Sequence, residues 1–377
     1  MKYMQNISII TIVAVGLLVI SSAFAQGPLI PPGAPAPTMK TLQQIEPRTA
    51  ITNLPYTISQ SGSYYLAGNY TSSTTAITIS ADHVTLDLLG HTLTGPGAAG
   101  STGILIAGAT NAPRSNITIR NGGLRLFNRG IQLTSANNCR IEDIRVFNSA
   151  NTGIVLWGEN GHACNGNTFV RCRIGHGGFH GIWVYSSNGN NRNNEFIDCT
   201  IYGNSQRGIL IDARNGGRAE GNRIVDCRVY GNASYGISLL ALTSGNCDGN
   251  TMVRTTVHGN ANYGIYLSAS EGGTCSGNLI ADCLVSDNVD YGIQINGANR
   301  NRIENNHITR NTGVASYGIR TIGSSGNLIV RNSSMEHVNP YSFSANDMWG
   351  PIVNTTGALS DTGIQSHPWA NFAASAP

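Results

Sequence analysis

The sequence lacks several features that would point to a common class of protein. Charged residues make up only 11% of it, and its only lysines are Lys2 and Lys40. The formal net charge is +3, so a nucleic-acid partner or an acidic membrane surface is not indicated. Metal-ligand spacings of the CxxC or HExxH kind are absent, and no stretch of the repeated region has helix-length periodicity. We therefore expect no metal, no cofactor and no nucleic acid.

The first segment has the pattern of an export signal. Met1-Lys2 leads into the apolar run Ile9–Ile20, which is followed by Ser-Ser-Ala-Phe-Ala ending at Ala25. These features predict a secretory signal peptide (residues 1–25) cleaved after Ala25, and the run is too short for a stable membrane span. We expect a secreted or periplasmic protein with no transmembrane span in its mature form. Residues 26–50, proline-rich at first, predict an N-terminal tether.

A repeat of about 28 residues dominates the middle of the chain. The unit GNRIVDCRVYGNASYGISL, which starts at Gly221, recurs with small changes from Asn193 to Ile295. The glycines of its Gly-Ile pairs are spaced by 27, 28, 28 and 28 residues and are Gly181, Gly208, Gly236, Gly264 and Gly292. Apolar residues alternate within each unit, which is the strand pattern. Short strands that recur once per coil predict an all-β, single-stranded parallel β-helix over residues 51–335.

The register of the repeat places equivalent residues in columns about 4.8 Å apart from coil to coil. One column is predicted to point inward: Ile144, Cys172, Cys199, Cys227, Thr255, Cys283, Asn306 and Asn332. A second reads Cys139, Asn167, Asn194, Asn222, Asn250, Asn278, Asn301 and Asn327, and a third reads Asn148, Asn204, Asn232, Asn260, Asn288 and Asn311. Stacked Asn side chains can hydrogen-bond along such a column, so these are predicted to be structural.

Two of the eight cysteines have a different prediction from the rest. Cys247 and Cys275 lie in the loop before the Asn column, 28 residues apart and so on adjacent coils. Their expected Cα separation suits a disulfide, so we predict that bridge as the one plausible pair. Residues 336–377, with prolines and aromatics, predict a C-terminal cap or tail.

The repeat and the VTLDLLGHTLTG stretch from Val84 resemble the right-handed parallel β-helix proteins of the pectin-lyase-like superfamily, in particular secreted bacterial repeat proteins. The resemblance implies right-handedness, as does the general preference of β crossovers. It also implies that a site, if there is one, lies on the strand that carries the Gly-Ile pair. The polygalacturonase signature is incomplete, since Gly175-His176-Gly177 has no preceding Asp pair and no Arg-Ile-Lys after it. The alginate-type Asp-Pro-His-Asp is absent.

Side chains on this strand define the candidate site. Strand alternation brings aromatic, basic and acidic residues to one face near His180. The residues predicted for catalysis are His180, Arg207, Tyr185 and Asp212. Those predicted for substrate binding are Trp157, His176, Trp183, Arg214, Tyr235, Tyr263 and Tyr266. Rings stack on sugar faces, Arg pairs with carboxylates, and His or Tyr can move a proton.

Two function classes fit these residues. The first is a glycan-binding or structural β-helix at the cell envelope or outside the cell, with a polysaccharide or envelope glycan as partner. The second is a lyase or hydrolase acting on an acidic polysaccharide near His180 and Arg207. The missing acid pairs favour the first, although the superfamily contains many enzymes. A repeated Tyr position is also typical of a purely structural stack.

Overall fold

Three parallel ladders of short strands wind around one apolar interior in the computed structural model, which describes residues 47–313, 316–354 and 362–375. The expected signal peptide and most of the expected tether lie outside the described residues. Ladder 1 consists of Thr49–Ile51, Gly62–Leu66, Val84–Asp87, Thr118–Arg125, Arg140–Phe147, Thr168–Val170, Glu195–Ile197, Arg223–Val225, Thr251–Val253, Leu279–Ala281, Arg302–Glu304, Ser325–Val330 and Asn346–Trp349.

Ladder 2 shares the long strands Thr118–Arg125 and Arg140–Phe147 with ladder 1. Its own strands are Tyr70–Thr71, Thr92–Thr94, Arg173–Gly175, Thr200–Tyr202, Arg228–Tyr230, Thr256–His258, Leu284–Ser286, His307–Thr309, Ser333–His337 and Asn371–Ser375, the last also pairing with Ile352–Val353.

Ladder 3 is a separate sheet of twelve strands and carries the Gly-Ile pairs. It consists of Tyr56–Ile58, Ile77–Ile79, Thr102–Ala107, Arg129–Thr134, Ile154–Glu159, Ile182–Ser187, Ile209–Arg214, Ile237–Ala241, Ile265–Ala269, Ile293–Asn296, Tyr317–Ile322 and Asn339–Ser342. A minor pair, Arg114–Ser115 with Ala136–Asn137, and the 3-10 helix Gly363–Ser366 complete the described elements. None of the described helices is long and apolar enough to cross a membrane.

The apolar residues that alternate along each strand form the interior. Ile182, Ile209 and Ile237 stand in register on consecutive strands of ladder 3, and each is fully buried. The glycine before each Ile is required by the packing. A Cβ on Gly208 would lie 2.4 Å from Val229 Cγ1 and 2.7 Å from the Gly236 carbonyl oxygen. The Gly-Ile pair therefore marks where the coil passes closest to its own interior.

The Asn columns are hydrogen-bonded ladders, as the sequence predicts. In the first of them Asn194 Nδ2 donates to Asn222 Oδ1 at 2.9 Å, and the backbone N–H of Asn194 donates to the same oxygen at 3.0 Å. Both residues are fully buried. Each such bond contributes about 1 kcal/mol net, and leaving one of these amides unpaired would cost more. Asn148, the predicted first member of the third column, is an exception because it is exposed. The first hydrogen bond of that column runs from the Gly177 backbone N–H to Asn204 Oδ1.

The ladders continue beyond residue 335 and end in a different residue each time. Asn327 donates to Asp347 Oδ1 at 2.9 Å, Asn332 donates to Asn371 Oδ1 at 3.2 Å, and the third column ends at His337. Strand Asn339–Ser342 pairs in parallel with Tyr317–Ile322. The described part of the segment predicted as a cap or tail thus adds strands to the ladders and closes their polar columns.

The cysteines are all free and buried. Cys172, Cys199, Cys227 and Cys283 occupy the predicted inward column. The disulfide predicted between Cys247 and Cys275 is not formed in the structure. Both side chains point inward from stacked turns, and Cys247 Sγ donates to the Leu240 carbonyl oxygen at 3.0 Å. Burial raises the pKa of the Cys275 thiol well above its usual value, which keeps it protonated.

Candidate functional site

The outer face of ladder 3 carries two groups of half-buried rings, separated by the ring-free strand Ile209–Arg214, and we call them together the aromatic band. Its members are Trp157, Trp183, Tyr185, Tyr235, Tyr263, Tyr266, Tyr291 and Tyr317. It forms because equivalent outward positions on neighbouring strands are about 4.8 Å apart, which is a ring-to-ring contact distance. Of these rings, only Tyr235, Tyr263 and Tyr291 repeat the same residue type at the 28-residue spacing of the repeat.

The N-terminal part of the band is a three-ring cluster. Trp157 and Tyr185 stand in register on neighbouring strands, with ring centroids 4.9 Å apart. Trp183 packs against both, at 5.8 Å from Trp157 and 4.7 Å from Tyr185. The guanidinium of Arg129 lies over Trp157, 4.6 Å from its centroid. The sequence prediction omitted Arg129, although its position before a Gly-Ile pair was visible in the repeat.

The C-terminal part is a tyrosine stack. Tyr235 and Tyr263 are stacked at 5.0 Å, Tyr263 and Tyr291 at 4.8 Å, and Tyr266 fills the angle beside them. Burial first, and neighbouring phenols second, raise the pKa of Tyr263 to about 12, so it is a neutral hydroxyl at physiological pH. Arg320 Nη1 donates to Tyr291 Oη at 2.9 Å. These rings offer their edges and hydroxyls, while their faces are largely occupied by one another.

His180 is buried between the two parts of the band, at 1% exposure. Its ring lies 3.9 Å from Phe179 and 5.5 Å from Trp183, and its Nδ1 accepts the backbone N–H of Arg207 at 3.3 Å. Burial, with a smaller effect of Arg207, lowers the pKa of His180 to about 3. It is a neutral, covered residue.

Arg207 stands next to His180 in the same column and is itself half-buried. Its guanidinium lies 5.1 Å from the Tyr235 centroid, and burial lowers its pKa, an effect that Tyr235, Asp212 and Tyr266 oppose. Its Nε is buried without a hydrogen-bond partner. Other buried polar atoms without a partner on this face are Trp183 Nε1, Ser238 Oγ and Gln294 Oε1. Four buried polar atoms without a hydrogen-bond partner therefore lie under the aromatic band.

Asp212 is fully buried although it points outward from its strand. Arg214 covers it with two bonds, Nε to Oδ1 at 3.1 Å and Nη2 to Oδ2 at 2.5 Å. Burial raises the pKa of Asp212, while Arg214 and Arg207 counteract the effect. The indole N–H of Trp183 also favours the charged carboxylate, but it does not reach hydrogen-bonding geometry. The carboxylate is thus held in an ion pair beneath larger side chains.

His176 is the one predicted site residue that lies apart from the others. It follows Arg173–Gly175 of ladder 2 and is exposed, with its ring 5.1 Å from Tyr202. It meets a second row of rings that the sequence prediction overlooked, in which Tyr202, Tyr230 and His258 stack at 5.3 and 5.0 Å. The signal was present, since the repeats read IYGN, VYGN and VHGN at the same position. The remaining ten predicted residues lie on the ladder 3 face.

Comparison with known proteins agrees with this fold. A sequence family described as the right-handed β-helix region matches residues 67–224, and one described as periplasmic copper-binding protein (NosD) matches residues 241–368. No curated protein matches the chain. The chain therefore has the right-handed parallel β-helix fold that the sequence predicts.

Solved structures of similar fold share little sequence with this chain. The A-module of the mannuronan C-5 epimerase AlgE6 of Azotobacter vinelandii superimposes with a TM-score of 0.62 at 15% identity, covering 84% of this chain and 91% of that one. A tailspike protein of E. coli bacteriophage HK620 gives 0.56 at 11% identity, covering 78% and 58%. PfbA, a surface adhesin of Streptococcus pneumoniae, gives 0.58 at 11%, covering 74% and 78%. At such identities the likeness establishes the fold.

The residues described in the NosD-matching region do not fit a copper site. Residues 47–313, 316–354 and 362–375 contain no group of three or more His, Cys, Asp or Glu side chains placed to hold a metal ion. The thiols in the matching region are buried, and burial raises the pKa of Cys247 and of Cys283, which disfavours the thiolate that binds soft metals. We derive no chemistry through copper.

Proposed function

We propose that this protein is an exported β-helix that binds a glycan along the outer face of ladder 3. The observation that carries the proposal is the aromatic band, two groups of half-buried rings that contact one another from coil to coil within each group, with hydroxyl groups at the edges of the tyrosines. Rings with a polar handle suit sugars, which present both C–H faces and hydroxyls. The epimerase and tailspike folds are consistent with such a role for this architecture.

Binding is better supported than catalysis because the expected acid–base groups are covered. His180 is neutral and packed between Phe179 and Trp183, and Asp212 is ion-paired beneath Arg214. A general acid or base must come within hydrogen-bonding distance of the reacting atoms. Under the alternative, a lyase or hydrolase, these side chains would have to be uncovered by the polysaccharide. The exported location follows from the predicted signal peptide and fits the periplasmic family that matches residues 241–368.

A glycan panel tests the proposal. We expect the purified protein to bind at least one polysaccharide, and Trp183→Ala or Tyr266→Ala to weaken that binding by about 1–3 kcal/mol, roughly 5- to 150-fold. Tyr230→Ala, in the ring row of ladder 2, is the matched control and should leave it within about twofold. Unchanged affinity in both band variants would refute the proposal. Release of reducing ends or unsaturated uronates, abolished in His180→Gln, would instead support the enzyme alternative.

A further inference from the structure

A second surface lies on the outer face of ladder 2, where the strands form a recess of about 490 Å³. Its walls include Asn69, Thr92, Thr94, Arg125, Arg145 and Phe147. A neighbouring recess of about 410 Å³ shares Arg145 and adds Arg171 and Arg173. We call the two together the basic groove. None of the residues of the aromatic band lines it.

The groove exists because one strand has no side chain at its outward position. Gly123 stands in register between Thr92 on one side and Arg145 on the other. Since outward side chains of a parallel ladder normally touch from coil to coil, the glycine leaves a gap between Thr92 and Arg145. The next outward row places Thr94, Arg125 and Phe147 in register beside this gap. The backbone of Gly123 thus forms the floor of the recess. Its walls are the hydroxyl groups of Thr92 and Thr94, the guanidinium groups of Arg125 and Arg145, and the ring of Phe147.

The charges around the groove are unbalanced. Arg145 and Arg173 stand directly opposite each other on neighbouring strands, both exposed, and like charges in that position are destabilising. Within the described residues neither of them forms an ion pair. Arg125 donates only to a neutral hydroxyl, from its Nε to Thr94 Oγ1 at 3.1 Å.

Several exposed arginines elsewhere on the surface pair with acids of the neighbouring coil. Arg223 pairs with Glu195 at 2.6 Å, Arg254 with Asp226 at 2.7 Å and Arg310 with Asp287 at 2.9 Å. At the rim of the groove itself Arg171 is already held by Asp143 at 2.7 Å. Three guanidinium groups of the basic groove, those of Arg125, Arg145 and Arg173, are therefore left with their charge uncompensated by such pairs.

We infer that the basic groove binds the oxyanion group of an acidic saccharide, a carboxylate or a sulfate ester. Planar guanidinium groups match such oxyanions with two parallel hydrogen bonds, and an anion between Arg145 and Arg173 would relieve their repulsion. Thr92 supplies a hydroxyl for the sugar, and the half-buried Phe147 ring supplies an apolar surface next to the charge. The ring row of Tyr202, Tyr230 and His258 begins beyond Phe147 on the same ladder and lies outside the groove.

This inference does not depend on the aromatic band. The arginines of the band are otherwise occupied: Arg214 pairs with Asp212, Arg129 donates to Gln132, and Arg207 is half-buried under Tyr235. The band therefore suits neutral sugar surfaces and the basic groove suits charged ones. The two sites lie on different faces and can be removed separately.

Titration calorimetry with four probes tests the inference: oligogalacturonate, a heparin-type sulfated oligosaccharide, inorganic sulfate and a neutral gluco-oligosaccharide. We expect one of the two acidic oligosaccharides to bind with an affinity that falls as salt rises. Arg145→Gln should weaken it tenfold or more, and Arg125→Gln by a similar factor. Arg228→Gln, an exposed arginine of ladder 2 outside the groove, is the matched control and should change it less than twofold. Trp183→Ala should leave it unchanged.

Three results would overturn the inference. The first is failure of both acidic oligosaccharides to bind, including the case in which inorganic sulfate alone does so. The second is equal binding by wild type and Arg145→Gln, and the third is an equal loss in Arg228→Gln, which would indicate a diffuse charge effect. Because Arg145 is exposed and faces a like charge, we expect Arg145→Gln to fold with a melting temperature no lower than that of wild type. If no neutral glycan bound in a way that depends on Trp183, while an acidic oligosaccharide still bound in a way that depends on Arg145, only the proposal for the aromatic band would be wrong.

Discussion

The outer faces of ladder 3 and ladder 2 are built from the same repeat but treat polar groups in opposite ways. On ladder 3, His180 and Asp212 are buried and Arg207 lies half-buried against Tyr235. On ladder 2, Arg145, Arg173 and Arg228 are all exposed. The strands of ladder 3 are longer, with six residues in Ile182–Ser187 against three in Arg173–Gly175. More outward positions per coil allow large rings to cover smaller neighbours.

The difference shows that orientation on a strand does not fix accessibility. Asp212 and Arg145 both point away from the interior, yet only Arg145 is exposed to solvent. A row of rings at coil spacing forms a second, thinner apolar layer over ladder 3. Groups under that layer have perturbed pKa values because they are removed from water, whereas the arginines of ladder 2 remain in contact with solvent.

The largest expected difference between the two faces is the loss of folding stability at low pH that comes from the buried His180. Its folded pKa is about 3, below the value near 6.5 expected when unfolded, so the stability it contributes is present above pH 6.5 and is lost as pH falls toward 3. At pH 4 the loss from this residue alone should be about 3 kcal/mol. Urea unfolding at pH 7 and pH 4 measures it, and His180→Gln should show a correspondingly smaller difference between the two pH values.

His337 provides an internal comparison for that measurement. Burial lowers its pKa to about 4, so it adds its own acid sensitivity in every variant that keeps it. An equal pH dependence in wild type and His180→Gln would mean that His180 is accessible, and the contrast between the two faces would then fail.

Replacing one arginine on each face with alanine should lower the stability by different amounts. Arg207→Ala should cost about 1–3 kcal/mol, because it removes a partly desolvated cation from Tyr235 and opens space under the band. Arg228→Ala, an exposed arginine on ladder 2, should stay within about 0.5 kcal/mol of wild type. Thermal and denaturant unfolding measure both. Similar costs for the two variants would contradict a buried role for Arg207.

The smallest expected effect has the opposite sign. Arg145→Thr replaces one of two like charges in register with the residue type found at the same position in Thr92, Thr200 and Thr256. In the absence of ligand we expect a gain of about 0.2–1 kcal/mol. A salt titration of the melting temperature should show the gain shrinking as ionic strength rises. A loss of stability would mean that Arg145 has a structural partner.

The repeat made the fold predictable and the site only partly so. The 28-residue period fixed the strands, the inward cysteine column and the Asn ladders, because each depends only on register. Burial on the outer face depends on the sizes of neighbouring side chains, so the sequence alone could not show that Trp183 and Arg207 are half-buried. The basic groove could not be foreseen, since it arises where Gly123 and the irregular first coils interrupt the repeat.

The Asn ladders also give the molecule a direction of growth. In each column the donors of one coil are satisfied by the oxygen of the following coil, so a chain folding from its N-terminal end always carries one open row of donors. Asp347, Asn371 and His337 end these three columns, because each accepts the hydrogen bond of the last Asn. Removing them would leave the last coil as a template for the first coil of another molecule, so end-to-end filaments are the expected fate of a chain that stops too early.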